Sequence, residues 1–193
     1  MTGDRSTPRL VAFDWGGVIL RHCRSWSEGC AAAGLPHYDD IHTPEQIAAR
    51  KNLHADFQRG ICSPDEFLSR LATHAQGRYS VDELRQLHDR WLLDEYAGVG
   101  TLIDALHAAG VETALLSNTN HLHWIRHLPI EEGGTGDYPT ARKLMHRHAS
   151  HLLGHAKPDA EIYAAFEAAT GFAGPEILFF DDLTENCEAA AAF

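Results

Sequence analysis

The sequence predicts an α/β protein: a Rossmann-like, doubly wound parallel sheet with a block of short helices inserted after its first strand. Three observations carry this expectation. Apolar runs of strand length end abruptly in polar residues, at Asp14, at Ser117-Asn118 and at Asp181-Asp182. From about residue 97 onward helix and strand patterns alternate, as in parallel βαβ units. Between the first run and that region the periodicity is helical throughout. Residues 8–20 and 97–193 are therefore assigned to an α/β core and 21–96 to a helical cap. At 193 residues the chain is long enough to bury a substantial core.

Leu10–Phe13 reads as a fully buried strand, with Asp14 at its carboxyl end and Gly16 and Gly17 allowing a tight turn. Ser25–Leu35 reads as a short helix closed near Gly34. Thr43-Pro44-Glu45-Gln46 starts a second helix that Gly60 ends, because Thr caps well and Pro suits the first helical position. Ser63 and Glu66 have capping-box spacing, and Ser80-Val81-Asp82-Glu83 opens a fourth helix carrying Leu84, Leu87, Trp91 and Leu92. Then follow a helix from Gly98 to Gly110, a buried strand Val111–Leu116 and a helix through Arg126. Residues 131–140 read as loop, His151-Leu152-Leu153 as a short third strand, Pro158–Thr170 as a helix, Glu176–Phe180 as a strand and Leu183–Phe193 as a last helix.

Net charge is −11, from 27 acidic and 16 basic residues, which opposes a nucleic-acid or anionic-membrane surface. It does not oppose an anionic substrate, since a local cation reverses the field. Cys23, Cys30, Cys62 and Cys187 form no CxxC pair and fit reduced thiols. Thr2–Arg9 is polar rather than signal-like, and no run approaches the ~20 apolar residues of a membrane span, so a cytoplasmic protein is expected. His146, His148, His151 and His155 crowd one segment, but their spacing matches no zinc pattern with cysteines, and the segment is read as loop.

In a parallel sheet the strand ends converge on one edge, where ligands bind. Asp14, Ser117, Asn118, Lys157, Asp181 and Asp182 would then share a site. The residue types suit phosphoryl transfer: a carboxylate nucleophile, a hydroxyl and a lysine for phosphoryl oxygens, and carboxylates with a main-chain oxygen for a hard cation such as Mg²⁺. Singly, each has a plainer reading. Ser117 would cap a helix beginning near Thr119, Asp181-Asp182 would start the last helix, and Lys157 would be a solvated charge.

With these residues placed, the chain resembles the haloacid dehalogenase superfamily of hydrolases over Val11 to about Ala191. The matching stretches are Phe13-Asp14-Trp15-Gly16-Gly17-Val18, Leu116-Ser117-Asn118-Thr119-Asn120, Lys157-Pro158-Asp159-Ala160-Glu161-Ile162-Tyr163 and Phe179-Phe180-Asp181-Asp182, with Asn186 downstream. The run Ser117–Asn120 followed by Leu122-His123 is similar to the glucose-1-phosphatase type, related to the amino-terminal phosphatase domain of soluble epoxide hydrolase. The resemblance implies a Mg²⁺-dependent phosphatase acting on a small phosphorylated metabolite, such as a sugar phosphate. Asp14 would form an aspartyl-phosphate. Ser117, the amide of Asn118 and Lys157 would hold the phosphoryl oxygens. Mg²⁺ would bind Asp14, the main-chain oxygen of Gly16 and Asp182, with Asp181 near it.

Two departures stand out. Most phosphatases of the superfamily carry an acid–base Asp two residues after the nucleophile, where this chain has Gly16. A good leaving group, or a proton donor among His22, His121 and His123, would compensate. Members also usually continue past the last helix into a further strand, which would follow Phe193. Arg21, His22, Trp26, Phe57 and Trp91 are the candidate substrate contacts from the cap. Two rivals to the phosphatase are a metal-independent 2-haloacid dehalogenase, which would not keep the Asp181-Asp182 pair, and a catalytically weak phosphate-ligand binder.

Overall fold

The structure, a computed structural model, describes residues 7–193; residues 1–6, most of the polar Thr2–Arg9 segment, lie outside it. Strand β1 (Leu10–Phe13) is buried along its whole length. A turn then leads to β2 (Leu20–His22). Four helices follow: α1 (Trp26–Ala33), α2 (Pro44–Gln58), α3 (Pro64–His74) and α4 (Val81–Trp91). Strand β3 (Leu92–Glu95) then pairs antiparallel with β2.

The rest of the chain supplies α5 (Val99–Ala108), β4 (Glu112–Ser117), α6 (His121–Trp124), α7 (Pro139–Arg142), β5 (His146–Ala149), α8 (Ser150–Leu153), α9 (Ala160–Thr170), β6 (Ile177–Phe180) and α10 (Thr184–Ala192). Strands β5-β4-β1-β6 form one sheet in that order, all parallel.

The alternation of β1 decides the layers. Val11 and Phe13 join Ile103, Leu115, Trp124 and Ala149 on one face. Leu10 and Ala12 join Ala114, Leu116, Ile162, Tyr163 and Phe166 on the other. With β1 central, both faces are covered, as a parallel sheet requires. The helical block packs about a core of its own, in which Leu53, Phe57, Phe67, Leu71, Leu84 and Leu87 are all but inaccessible.

Helix starts follow the capping chemistry. Thr43 with Gln46, and Ser80 with Glu83, form reciprocal capping boxes. Ser25 and Ser63 accept from the amides of Glu28 and Glu66, the latter without the return bond that a full box would add.

Five expectations need correction. The third strand is β5 at His146–Ala149, not His151–Leu153, which is helical. As an edge strand β5 is half-buried and polar, so it lacks an apolar run, whereas Leu152 is 60 % exposed. The stretch 21–96 is not wholly helical, because β2 and β3 bracket the helices. These strands of three and four residues are too short to show a period. The helix expected from Pro158 begins at Ala160, with Asp159 as N-cap and Lys157–Pro158 a cis peptide. The helix after β4 ends at Trp124 rather than Arg126. Residues 131–140 include part of a 3-10 turn, Ile130–Glu132, and the start of α7.

Candidate active site

The carboxyl ends of β1, β4 and β6 lie side by side. Asp14, one residue beyond β1, donates its amide to Phe180 O at 2.8 Å, which ties it to the end of β6. Ser117 closes β4, and Asp181 and Asp182 follow β6. Asp14, Ser117 and Lys157 are buried, and Asp14, Gly16, Ser117, Asn118 and Asp182 line a common cavity of about 530 Å³ between the sheet edge and the helical block.

Lys157 organises the charges. Its side chain is fully buried and its Nζ donates to Leu116 O at 2.9 Å and to Asp181 Oδ2 at 2.6 Å. The same Nζ lies 3.1 Å from Asp14 Oδ1, a buried ion pair. The lysine is therefore not a solvated charge. Asn118 fixes the loop that carries it: its Nδ2 donates to Lys157 O at 2.7 Å and its Oδ1 accepts from Lys157 N at 2.8 Å. With its side chain used in this way, Asn118 has only its main-chain amide for an anion.

Asp181 is equally committed. Its Oδ1 accepts from the amide of Leu183 and from Asn186 Nδ2, each at 2.9 Å, while Oδ2 takes Lys157. It thus supports the start of α10 and positions the lysine together. Asp182 is more open, with its side chain 23 % exposed, and its Oδ2 accepts from Arg24 at 2.9 Å. Arg24 had no sequence signal; it lies in the short connection between β2 and α1, and only the fold brings it to Asp182.

One ligand atom each from Asp14, Asp181 and Asp182 lie within 4.8 Å of one another. Burial raises the Asp14 carboxyl above its usual range, the Lys157 charge opposes this, and the Asp181 charge adds to it. A single buried lysine shared by Asp14 and Asp181 therefore leaves negative charge uncompensated, and with the three carboxylates this close the arrangement fits a divalent cation. Gly17 makes the approach possible. Its φ is +84°, and a Cβ there would stand 2.4 Å from Asp182 Cγ.

Ser117 does not cap a helix, since Asn120 holds the N-cap of α6. Of the cap candidates, His22, Trp26 and Trp91 line the cavity. Phe57 belongs to the core of the helical block, and Arg21 pairs with Asp94 at 2.9 Å on the exposed ribbon. The crowded histidines disperse: His146 contacts Glu112 Oε2 at 2.7 Å, His148 packs on Phe166, and His151 lies against Trp124.

A buried carboxylate at a parallel sheet edge, bridged by a buried lysine to a second carboxylate, is set in an α/β fold. The chain belongs to the haloacid dehalogenase-like hydrolases, whose sequence pattern matches residues 8–193. Comparison with the curated proteins gives no match. Among solved structures it is similar to a HAD family enzyme of Bacteroides thetaiotaomicron in complex with magnesium and inorganic phosphate, with TM-score 0.76, 20 % identity, and 96 % of this chain and 90 % of that one covered. A HAD-like family hydrolase described as predicted, from Porphyromonas gingivalis, gives 0.75 and 25 %, covering 97 % and 88 %. An L-2-haloacid dehalogenase of Xanthobacter autotrophicus with covalently bound chloropropionic acid gives 0.60 and 14 %, covering 97 % and 75 %. Among the described residues, no helix is long and apolar enough to cross a membrane.

Proposed function

We propose that this chain is a metal-dependent phosphatase of small phosphorylated molecules, with Asp14 as nucleophile. The observation that carries this reading is the charge constellation: Asp14 and Asp181 share one buried lysine, and Asp182 completes a carboxylate set of metal-binding dimensions. The magnesium and phosphate held by the Bacteroides enzyme of the same fold support it.

Asp14, Asp182 and the main-chain oxygen of Gly16 would hold the cation, with Asp181 behind them. When bound, Mg²⁺ would supply positive charge against which a phosphoryl group and a carboxylate can approach. The Asp14 carboxylate attacks phosphorus, the bond to the leaving oxygen breaks, and an aspartyl-phosphate results. Lys157 favours the ionised form of the nucleophile against the effect of burial, and is itself fixed by Asp181 and Leu116 O. The Ser117 hydroxyl, engaged by no other side chain among the described residues, and the Asn118 amide donate to phosphoryl oxygens. Water then attacks phosphorus, phosphate departs and Asp14 is restored.

Gly16 supplies no proton for the leaving oxygen. His121 does not line the cavity, and His123 is committed to other partners. His22 lines it, and a Cβ at position 16 would stand 2.8 Å from its Cδ2 and 3.1 Å from its Nε2. Its Nδ1 donates to Cys23 O at 2.9 Å, which leaves Nε2 as the nitrogen beside the site. Its imidazole fills the place that an acidic side chain at position 16 would take.

The test is a panel of phosphorylated metabolites, sugar phosphates included, assayed with and without Mg²⁺ beside Asp14→Asn, with 2-chloropropionate as a separate arm. Release of phosphate that needs the metal and disappears in Asp14→Asn is the expected result. Metal-independent chloride release would establish the dehalogenase instead. Phosphate binding without turnover would establish a ligand-binding protein.

A further inference from the structure

The cavity extends away from the carboxylates to a wall formed by Trp26, Leu87, Trp91, His54, His88 and His123. His88, from α4, and His123, from α6, meet across the junction of helical block and core, with Nδ1 of the first 3.1 Å from Nε2 of the second. The direction of this bond follows from its neighbours. The amide of His123 donates to Asn120 Oδ1 at 3.2 Å, which fixes the orientation of the Asn120 carboxamide. Asn120 Nδ2, a donor only, then faces His123 Nδ1 at 3.4 Å, so that nitrogen is an acceptor. The single proton of a neutral His123 therefore sits on Nε2 and is given to His88 Nδ1. The proton of His88 is in turn on its Nε2.

The chain of bonds ends there. His88 Nε2 is buried and has no partner. His88 is 4 % exposed, and the adjoining His54, whose ring centroid is 5.8 Å away, makes no hydrogen bond to it. An N–H whose direction is imposed by two upstream residues, in a residue lining the substrate cavity, requires an acceptor.

The groups lining the cavity define that acceptor. Arg24 is turned to Asp182 and Lys157 to Asp14 and Asp181, so both cations serve the phosphoryl end. The far wall carries imidazoles, indoles and the Gln58 amide. Burial pushes His123 down to about 3 and His54 to about 4, and holds His88 well below the ordinary histidine value, so these rings are neutral near pH 7. No cation lines that wall, although Arg50 lies over the Trp26 ring at 5.3 Å and the charges of Arg50, Arg85 and Arg126 act on these rings, so the hydrogen-bonding groups of the wall, not its charge, define the acceptor.

We propose that the Asn120–His123–His88 chain presents the His88 Nε2–H to an oxygen of the leaving group, and so selects phosphomonoesters whose organic part bears a hydroxyl or carbonyl. This rests on the phosphatase reading. The N–H is sealed from bulk water in this structure, so a ligand reaches it only when the cavity wall shifts.

Two measurements test it. Nitrogen-15 NMR of the intact chain at neutral pH is expected to find His123 and His88 both as Nε2–H tautomers. The Nδ1–H tautomer or an imidazolium at either residue overturns the proposal. In kinetics, glycerol phosphate is expected to have a higher kcat/KM than propyl phosphate. His88→Phe should lose roughly tenfold on glycerol phosphate and little on propyl phosphate, the size of one hydrogen bond, while His88→Gln keeps the preference through its own N–H. An unchanged preference in His88→Phe overturns the proposal and leaves Nε2–H directed at the Phe67 ring, 5.2 Å away. If no phosphomonoester is hydrolysed at all, the phosphatase reading fails separately. The donor is then judged by the tautomers and by whether glycerol phosphate shifts the His88 resonance when added to Asp14→Asn. Absence of that shift counts against it.

Discussion

Gly16 and Gly17 set the working distances at the site. At Gly17, an added methyl meets the Asp182 carboxylate at 2.4 Å and a φ of +84°. Gly17→Ala is therefore expected to displace Asp182, to weaken the response of activity to Mg²⁺, and to lower stability by about 1–3 kcal/mol, measured by metal titration and chemical denaturation. At Gly16 the obstacle is a ring. Gly16→Asp, which restores the acid common in the superfamily, should lower rather than raise turnover because His22 stands in its place. Combining it with His22→Ala should recover activity beyond the sum of the single effects, a positive coupling readable from a double-mutant cycle. Lys157 has another kind of importance. Lys157→Gln leaves Asp14 and Asp181 buried together without their shared cation, and about 3–5 kcal/mol of stability should be lost alongside activity. These residues were legible in the sequence because their types and their strand-end positions coincide. Arg24 and His88 were not, since each acquires its role from partners 158 and 35 residues away.

Among the elements, those whose ends carry side-chain chemistry were the readable ones. Thr43, Ser63 and Ser80 announced three helices before any fold was in hand, and each accepts the amide hydrogen bond expected of it. Strand β5 announced nothing, because His146-Arg147-His148 are polar residues that pair through their backbone at a sheet edge and are only partly buried. The apolar pair Leu152-Leu153 misled for the converse reason, since Leu152 points into solvent from α8. Two substitutions separate these assignments. Ala149→Asp buries a charge in β5 and should cost several kcal/mol, whereas Leu152→Asp should change stability by no more than about 0.5 kcal/mol. Thermal or denaturant unfolding of both variants decides.

For the molecule as a whole, the buried imidazoles set the response to acid. Burial holds His54, His127 and His151 near about 4 and His123 near about 3. In the unfolded chain each titrates near the ordinary value of about 6.5. Their folded values lie below their unfolded ones, so between these limits the unfolded state binds more protons and stability falls as pH falls. Unfolding midpoints should therefore be steady above about pH 7 and drop steeply from about 6.5 toward 4. A flat profile over that range would mean that these rings are charged, and solvated, in the folded protein.

The ribbon of β2 and β3 gives the molecule a further property. The chain leaves the sheet through β2, builds four helices about a core of their own, and comes back through β3, hydrogen-bonded to the strand by which it left. Departure and return are thus neighbours, and the strand order of the sheet does not depend on what lies between them. The edge of carboxylates and lysine and the wall of imidazoles and indoles thus sit on separately packed parts of one chain, so substitutions in the helical block can reshape one side of the cavity while the sheet that carries the other keeps its strand order.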